Sequence, residues 1–202
     1  FHTKAWVAML AENGIENDGQ DFLVKTAGKT NREIIPQYFE NATEEELLTL
    51  ANRKEELYRE LFKPELKAVD GVIDFLEESK NLGIKMAVAT AAPIVNMEFI
   101  LDGLDLRKYF SAITTAADVQ NGKPHPEGFL ISAKKLEVEP QNCLVFEDAI
   151  NGFEAAHRAG MKSVGIATVN STETILDLPD VVDAKDDFTS WKPTHLIEKY
   201  LN

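Results

Sequence analysis

The chain has 202 residues, room for one large domain or a core with a smaller second one, and its 44% hydrophobic content can fill a sizeable core. Its 34 acids against 21 bases leave a net charge of −13, which repels nucleic acid and anionic membrane and argues against both as partners. No apolar run approaches a membrane span, no signal peptide is legible, and the lone Cys143 excludes an internal disulfide and fits a cytoplasmic location.

The chain opens on Phe1 and enters a helix almost at once, so it reads as a chain already under way, with a segment expected ahead of it. Residues 1 to about 63 are predicted helical throughout. Trp6, Met9 and Leu10 form one apolar stripe, and Asn13-Gly14 ends that helix. A short second helix is expected from Asp21 to Lys25. The basic turn Ala27-Gly28-Lys29-Thr30-Asn31-Arg32-Glu33 then leads into the stripe Ile34, Ile35, Tyr38, Phe39. Thr43-Glu44-Glu45-Glu46 is a capping box, Thr43 as N-cap and Glu46 reaching back. It opens a long helix carrying Leu47, Leu50, Leu57 and Leu61, closed by Pro64. Lys29 and Arg32, beside a helix N-terminus, could hold an anion; the plain alternative is a solvated turn, favoured for Lys29. Gly28-Lys29-Thr30 lacks the earlier glycine and preceding strand of a phosphate-binding P-loop. His2 and Trp6, four apart, share one helix face.

From residue 67 the texture changes to alternating helix and strand. A helix is expected from Val72 to Lys80, then a strand over Ile84 to Ala89 that delivers Thr90 at its carboxyl end. Pro93 stands near the next helix start, and Ala112 to Thr115 is a short strand. Asn121-Gly122-Lys123-Pro124-His125-Pro126 is a stiff loop before a helix from Glu127 to Leu136. Leu144-Val145-Phe146 is a short buried strand that runs into Glu147-Asp148 and a helix stopped at Gly160. Cys143 at its start suggests packing rather than reactivity. Val164 to Ala167 completes a strand–helix–strand crossover; Val181 to Ala184 and a helix from about Thr194 to Tyr200 close the chain.

Ligands of open parallel sheets sit at the carboxyl ends of strands, where Thr90, Lys123 and the Glu147-Asp148 pair all fall. Paired carboxylates there repel unless a cation intervenes, and hard oxygen donors favour Mg²⁺; the plain alternative is that Asp148 caps its helix and Glu147 is solvated. A hydroxyl, an ammonium and a carboxylate pair suit a phosphoryl group. Thr90 would hydrogen-bond one oxygen, Lys123 neutralise another, and Asp148 hold Mg²⁺.

Val88-Ala89-Thr90, Gly122-Lys123-Pro124 and Glu147-Asp148-Ala149-Ile150-Asn151-Gly152 resemble the second, third and fourth motifs of the haloacid dehalogenase-like phosphatase superfamily. The helical section resembles the cap of its β-phosphoglucomutase-like subgroup, whose His-x-x-x-Trp is matched by His2 and Trp6, with Arg32 where some members contact a remote phosphate. The resemblance covers essentially the whole chain. It implies an α/β fold, a doubly wound, Rossmann-like parallel sheet over 67–202 lacking its first strand, with an all-helical cap over 1–66. It also implies Mg²⁺, an aspartyl-phosphate and a small phosphorylated metabolite, a sugar phosphate foremost, with the protein a monomer or weak homodimer.

Two departures matter. The family's first motif, Asp-x-Asp on an apolar strand, is absent from these residues, and neither Asp102-Gly103-Leu104-Asp105 nor Asp186-Asp187 can replace it. The chain as written is therefore expected not to turn over, although its parent could. After Thr90, Ala91-Ala92-Pro93-Ile94 occupies the stretch where β-phosphoglucomutases hold a second phosphate with polar and basic residues. Ala91 thus falls at a substrate-binding position with no polar group, which favours a phosphatase over a mutase. A receiver-like, non-enzymatic signalling domain also places Asp, Ser/Thr and Lys at parallel strand ends, but lacks such a cap.

Overall fold

The computed structural model describes residues 1–26 and 31–201, leaving aside the side chains of Asp21 and of residues 23–25. Two compact units divide the chain, Phe1–Leu66 and Lys67 onward.

The first unit is helical: α1 (His2–Glu12), α2 (Gly19–Thr26), α3 (Asn31–Tyr38) and α4 (Glu44–Phe62). The stripe on α1 is buried, Trp6, Met9 and Leu10 packing with Ala5, Phe22, Ile34, Ile35 and Leu57. The capping box forms as its sequence predicts, the Glu46 N–H donating to Thr43 Oγ1 at 3.3 Å and the Thr43 N–H to Glu46 Oε2 at 2.7 Å. Within α4, however, Lys54 and Glu55 are 3% and 7% exposed. Lys54 lies on the apolar row Leu47, Leu50, Ala51, Leu57, Tyr58, so the helix turns an ammonium inward.

The second unit is α/β: α5 (Val72–Asn81), β1 (Ala87–Ala89), α6 (Ile94–Gly103), β2 (Ala112–Thr114), α7 (Glu127–Leu136), β3 (Leu144–Glu147), α8 (Ile150–Arg158), β4 (Lys162–Ile166), α9 (Thr172–Leu176), β5 (Val181–Lys185) and α10 (Pro193–Tyr200). Every pairing is parallel. The strand expected over 84–89 shortens to β1 because its partner β2 has only three residues to pair with. The helix α9 was not legible, its few apolar positions being too short a run to show a period.

A single sheet is expected, but the described residues form two, β1–β2 and β3–β4–β5. The same helices nevertheless cover both sheets on each face. On α5, Phe75 packs with Val164 and Ile166 while Leu76 packs with Val88 and Ile113. Ala89 of β1 joins Val145 of β3 in one cluster with Phe129, Ala133, Ala155 and Ala156. Strands β1 and β3 thus share helical cover without sharing hydrogen bonds, and each presents an unpaired edge.

Candidate active site

Four groups collect at the carboxyl ends of the parallel strands. Directly after β1, the Thr90 N–H donates to the Thr114 carbonyl at 2.9 Å. Its Oγ1 accepts the Ala92 N–H at 3.0 Å. A hydroxyl that accepts from its own turn keeps its proton for another acceptor, such as a phosphoryl oxygen. Ala91, next in the chain, is exposed.

Lys123 stands in the loop between β2 and α7. The Glu127 carboxylate ties that loop to α7 by accepting the N–H groups of Gln120 and Asn121 at 3.0 and 2.9 Å. Those donors hold its pKa below the usual carboxylate range. Lys123 Nζ donates to Glu147 Oε1 at 2.6 Å and lies 4.7 Å from the centre of the Phe129 ring. Carboxylate and ring face together fix the ammonium.

Glu147 ends β3, and its other oxygen, Oε2, accepts the Asp148 N–H at 3.3 Å. The side chain lies flat on Gly152, where any Cβ would collide with its Cγ, Cδ and Oε1. This close approach is the physical reason for glycine in Glu147-Asp148-Ala149-Ile150-Asn151-Gly152. Asp148 is held separately. Thr168 Oγ1 donates to its Oδ2 at 3.0 Å, and Asn170 Nδ2 donates to its carbonyl at 2.9 Å. Neither was legible in the sequence, because the partners stand 20 and 22 residues away; the available signal was two polar residues straight after an apolar strand.

Lys123, Glu147 and Asp148 therefore come together, while Thr90 occupies the tip of the other sheet. The two predicted metal ligands differ: Glu147 is engaged by Lys123, and Asp148 keeps Oδ1 outside any hydrogen bond among the described residues. No group of three or more His, Cys, Asp or Glu among those residues could hold a metal.

In the helical unit, a second polar cluster surrounds His2. Lys54 Nζ lies 2.9 Å from His2 Nδ1, 2.8 Å from Glu55 Oε1 and 5.5 Å from the Trp6 ring centre. Asn31 Nδ2 adds a hydrogen bond to Glu55 Oε1 at 2.9 Å. His2 stacks on Tyr58 with centroids 4.1 Å apart. An ammonium can only donate, so Nδ1 accepts and the neutral ring carries its proton on Nε2. Burial first, and the Lys54 charge next, lower the His2 pKa to about 4. Trp6 is buried in the unit's core, Arg32 is exposed in the first turn of α3, and Lys29 lies outside the described residues.

Comparison with known proteins places this geometry in a family. Residues 2–166 match the model of haloacid dehalogenase-like hydrolases. Fructose-1-phosphate phosphatase YqaB of Escherichia coli (strain K12) is 33% identical over 82% of this chain and 87% of its own. Among solved structures, a haloacid dehalogenase hydrolase from Entamoeba histolytica superposes with a TM-score of 0.87 at 28% identity, over 100% of this chain and 92% of that one. A β-phosphoglucomutase from Clostridium difficile follows with a TM-score of 0.79 at 30% identity, over 98% and 89%. Of three other curated relatives, each named a phosphatase, the chain spans only 54% to 57% of the length. No helix among the described residues is long and apolar enough to cross a membrane. From the family match over most of its length, the chain belongs to the haloacid dehalogenase-like hydrolases.

Proposed function

We propose that the protein is a Mg²⁺-dependent phosphatase that hydrolyses small phosphorylated metabolites, sugar phosphates foremost, through an aspartyl-phosphate in the cytoplasm. The observation that carries this reading is the Lys123–Glu147 pair beside an Asp148 that retains a free oxygen. Thr90 donates to one phosphoryl oxygen. Lys123, neutralised and aimed by Glu147, attracts another. Asp148 offers Mg²⁺ a hard oxygen ligand, which fits the ion's preference but fills only part of its six-oxygen shell. When bound, the metal offsets charge between phosphate and nucleophile. Glu147, expected from sequence as a second ligand, serves here as the anchor of Lys123.

The nucleophile is the remaining requirement. No Asp-x-Asp occurs in the 202 residues, so in this reading they do not turn over alone. In the helical unit the candidates for recognising the ester are the Nε2–H of His2 and the exposed Arg32, with Lys29 outside the described residues; Trp6, expected from sequence to join them, is buried in that unit's core and offers no free face.

Likeness to the β-phosphoglucomutase favours one second reading, an isomerase that moves a phosphoryl group within a sugar phosphate. Ala91-Ala92-Pro93 speaks against it, because no side chain there can hold a second phosphate. Incubating the full-length protein with Mg²⁺, β-glucose 1-phosphate and a bisphosphate primer separates the two. Free sugar and inorganic phosphate are expected, whereas glucose 6-phosphate would make it a mutase. No phosphate release from any of a panel of sugar phosphates, and no isomer, would overturn both.

A further inference from the structure

Residues 167–171, between β4 and α9, grip Asp148 at two points. Thr168 Oγ1 donates to its Oδ2 and Asn170 Nδ2 to its main-chain carbonyl. Between them stands Val169, itself 73% exposed. Both ends of the loop are fixed. It leaves β4, buried from Ser163 to Ile166, and its Ala167 N–H donates to the Lys185 carbonyl at 2.8 Å. At the far end Ser171 caps α9 by accepting the Thr174 N–H at 3.3 Å, and fully buried Ile175 anchors that helix. The hold on Asp148 is therefore rigid at both of its own ends.

We propose that Thr168 and Asn170 are positioning residues that set how tightly the strand tip binds a divalent cation. An aspartate at a strand end has two free side-chain torsions. The Thr168 hydroxyl on Oδ2, at 3.0 Å, restricts those torsions and leaves Oδ1 as the oxygen outside any hydrogen bond among the described residues. The amide on the carbonyl fixes the backbone from which that side chain projects. Glu147 is already committed to Lys123 and the Asp148 N–H, with one bond to each of its oxygens. Groups that orient a metal's ligands change its affinity by about 10- to 100-fold when removed. This inference rests on the metal role proposed for Asp148.

The test uses the full-length protein and Mn²⁺ as probe, with the free-ion EPR signal reporting binding. Thr168→Val is expected to weaken Mn²⁺ binding by about tenfold or more, and Asn170→Ala to weaken it in the same direction. Thr168→Ser should restore wild-type affinity, and the metal-free melting temperature should stay unchanged in all three, since Thr168 is exposed and Asn170 only partly buried. Asp148→Asn, run alongside, should remove binding. Unchanged affinity in Thr168→Val and Asn170→Ala, while Asp148→Asn loses the ion, would overturn the positioning role alone. Affinity retained in Asp148→Asn would overturn the metal reading beneath it.

Discussion

The two units handle charge in opposite ways. In the helical unit Lys54 and Glu55 are buried side by side on α4 and satisfied by His2 and Asn31. In the α/β unit Lys123, Glu147 and Asp148 stand at strand and loop ends, only partly buried, over a core in which the buried polar side chains are all uncharged among the described residues. Burying an ion pair is seldom the stable choice against well-packed hydrophobic residues. The helical unit nevertheless buries an ion pair beside His2, whereas the α/β unit leaves its charged strand-end residues where water still reaches them.

The largest expected effect tests the buried pair. Lys54→Met should destabilise the protein by about 3 kcal/mol, because it takes the Lys54 ammonium away from the buried Glu55 carboxylate it pairs with. Adding Glu55→Leu should recover most of that loss in denaturant unfolding. If the single variant unfolds like wild type, the pair is not the interior feature described.

The opposite pattern is expected in the α/β unit. Gly152→Ala must push Glu147 aside and release Lys123. Phosphatase activity of the full-length protein should fall by about a hundredfold, the usual effect of losing one preorganised electrostatic group, with a loss of stability of about 1–3 kcal/mol from the overpacking. A large loss of stability with full activity retained would reverse the contrast between the units.

The smallest effect is a pH dependence in the helical unit. His2 has a folded pKa of about 4 against an ordinary 6.5, so between those values the unfolded chain binds a proton that the folded chain refuses. The contribution is complete above pH 6.5 and is lost as pH falls toward 4. Melting curves of wild type and His2→Gln should converge over that window. A constant gap would show that burial and the Lys54 charge together do not hold the ring neutral.

Much of this arrangement is legible in the sequence where the cause is local. Thr43 and Glu46 define their helix start across three residues, and the apolar run from Leu144 ending in Glu147-Asp148 marks a strand tip. What escapes is contact at a distance. Thr168 and Asn170 are ordinary loop residues until the crossover brings them to Asp148. Lys54 and Glu55 hid differently: surface helices are expected to turn charges outward, and only the place of Lys54 in the apolar row signalled otherwise. The division into two sheets was not legible either, since pairing depends on which edges meet rather than on the composition of a strand.

Phosphate release by the full-length Asp148→Ala protein from its best sugar phosphate, with Mg²⁺ in excess, asks whether the β3 tip handles phosphoryl groups. A fall in kcat of about a thousandfold is expected, with the fold intact by circular dichroism. Turnover within about threefold of wild type would place the chemistry elsewhere and contradict that role.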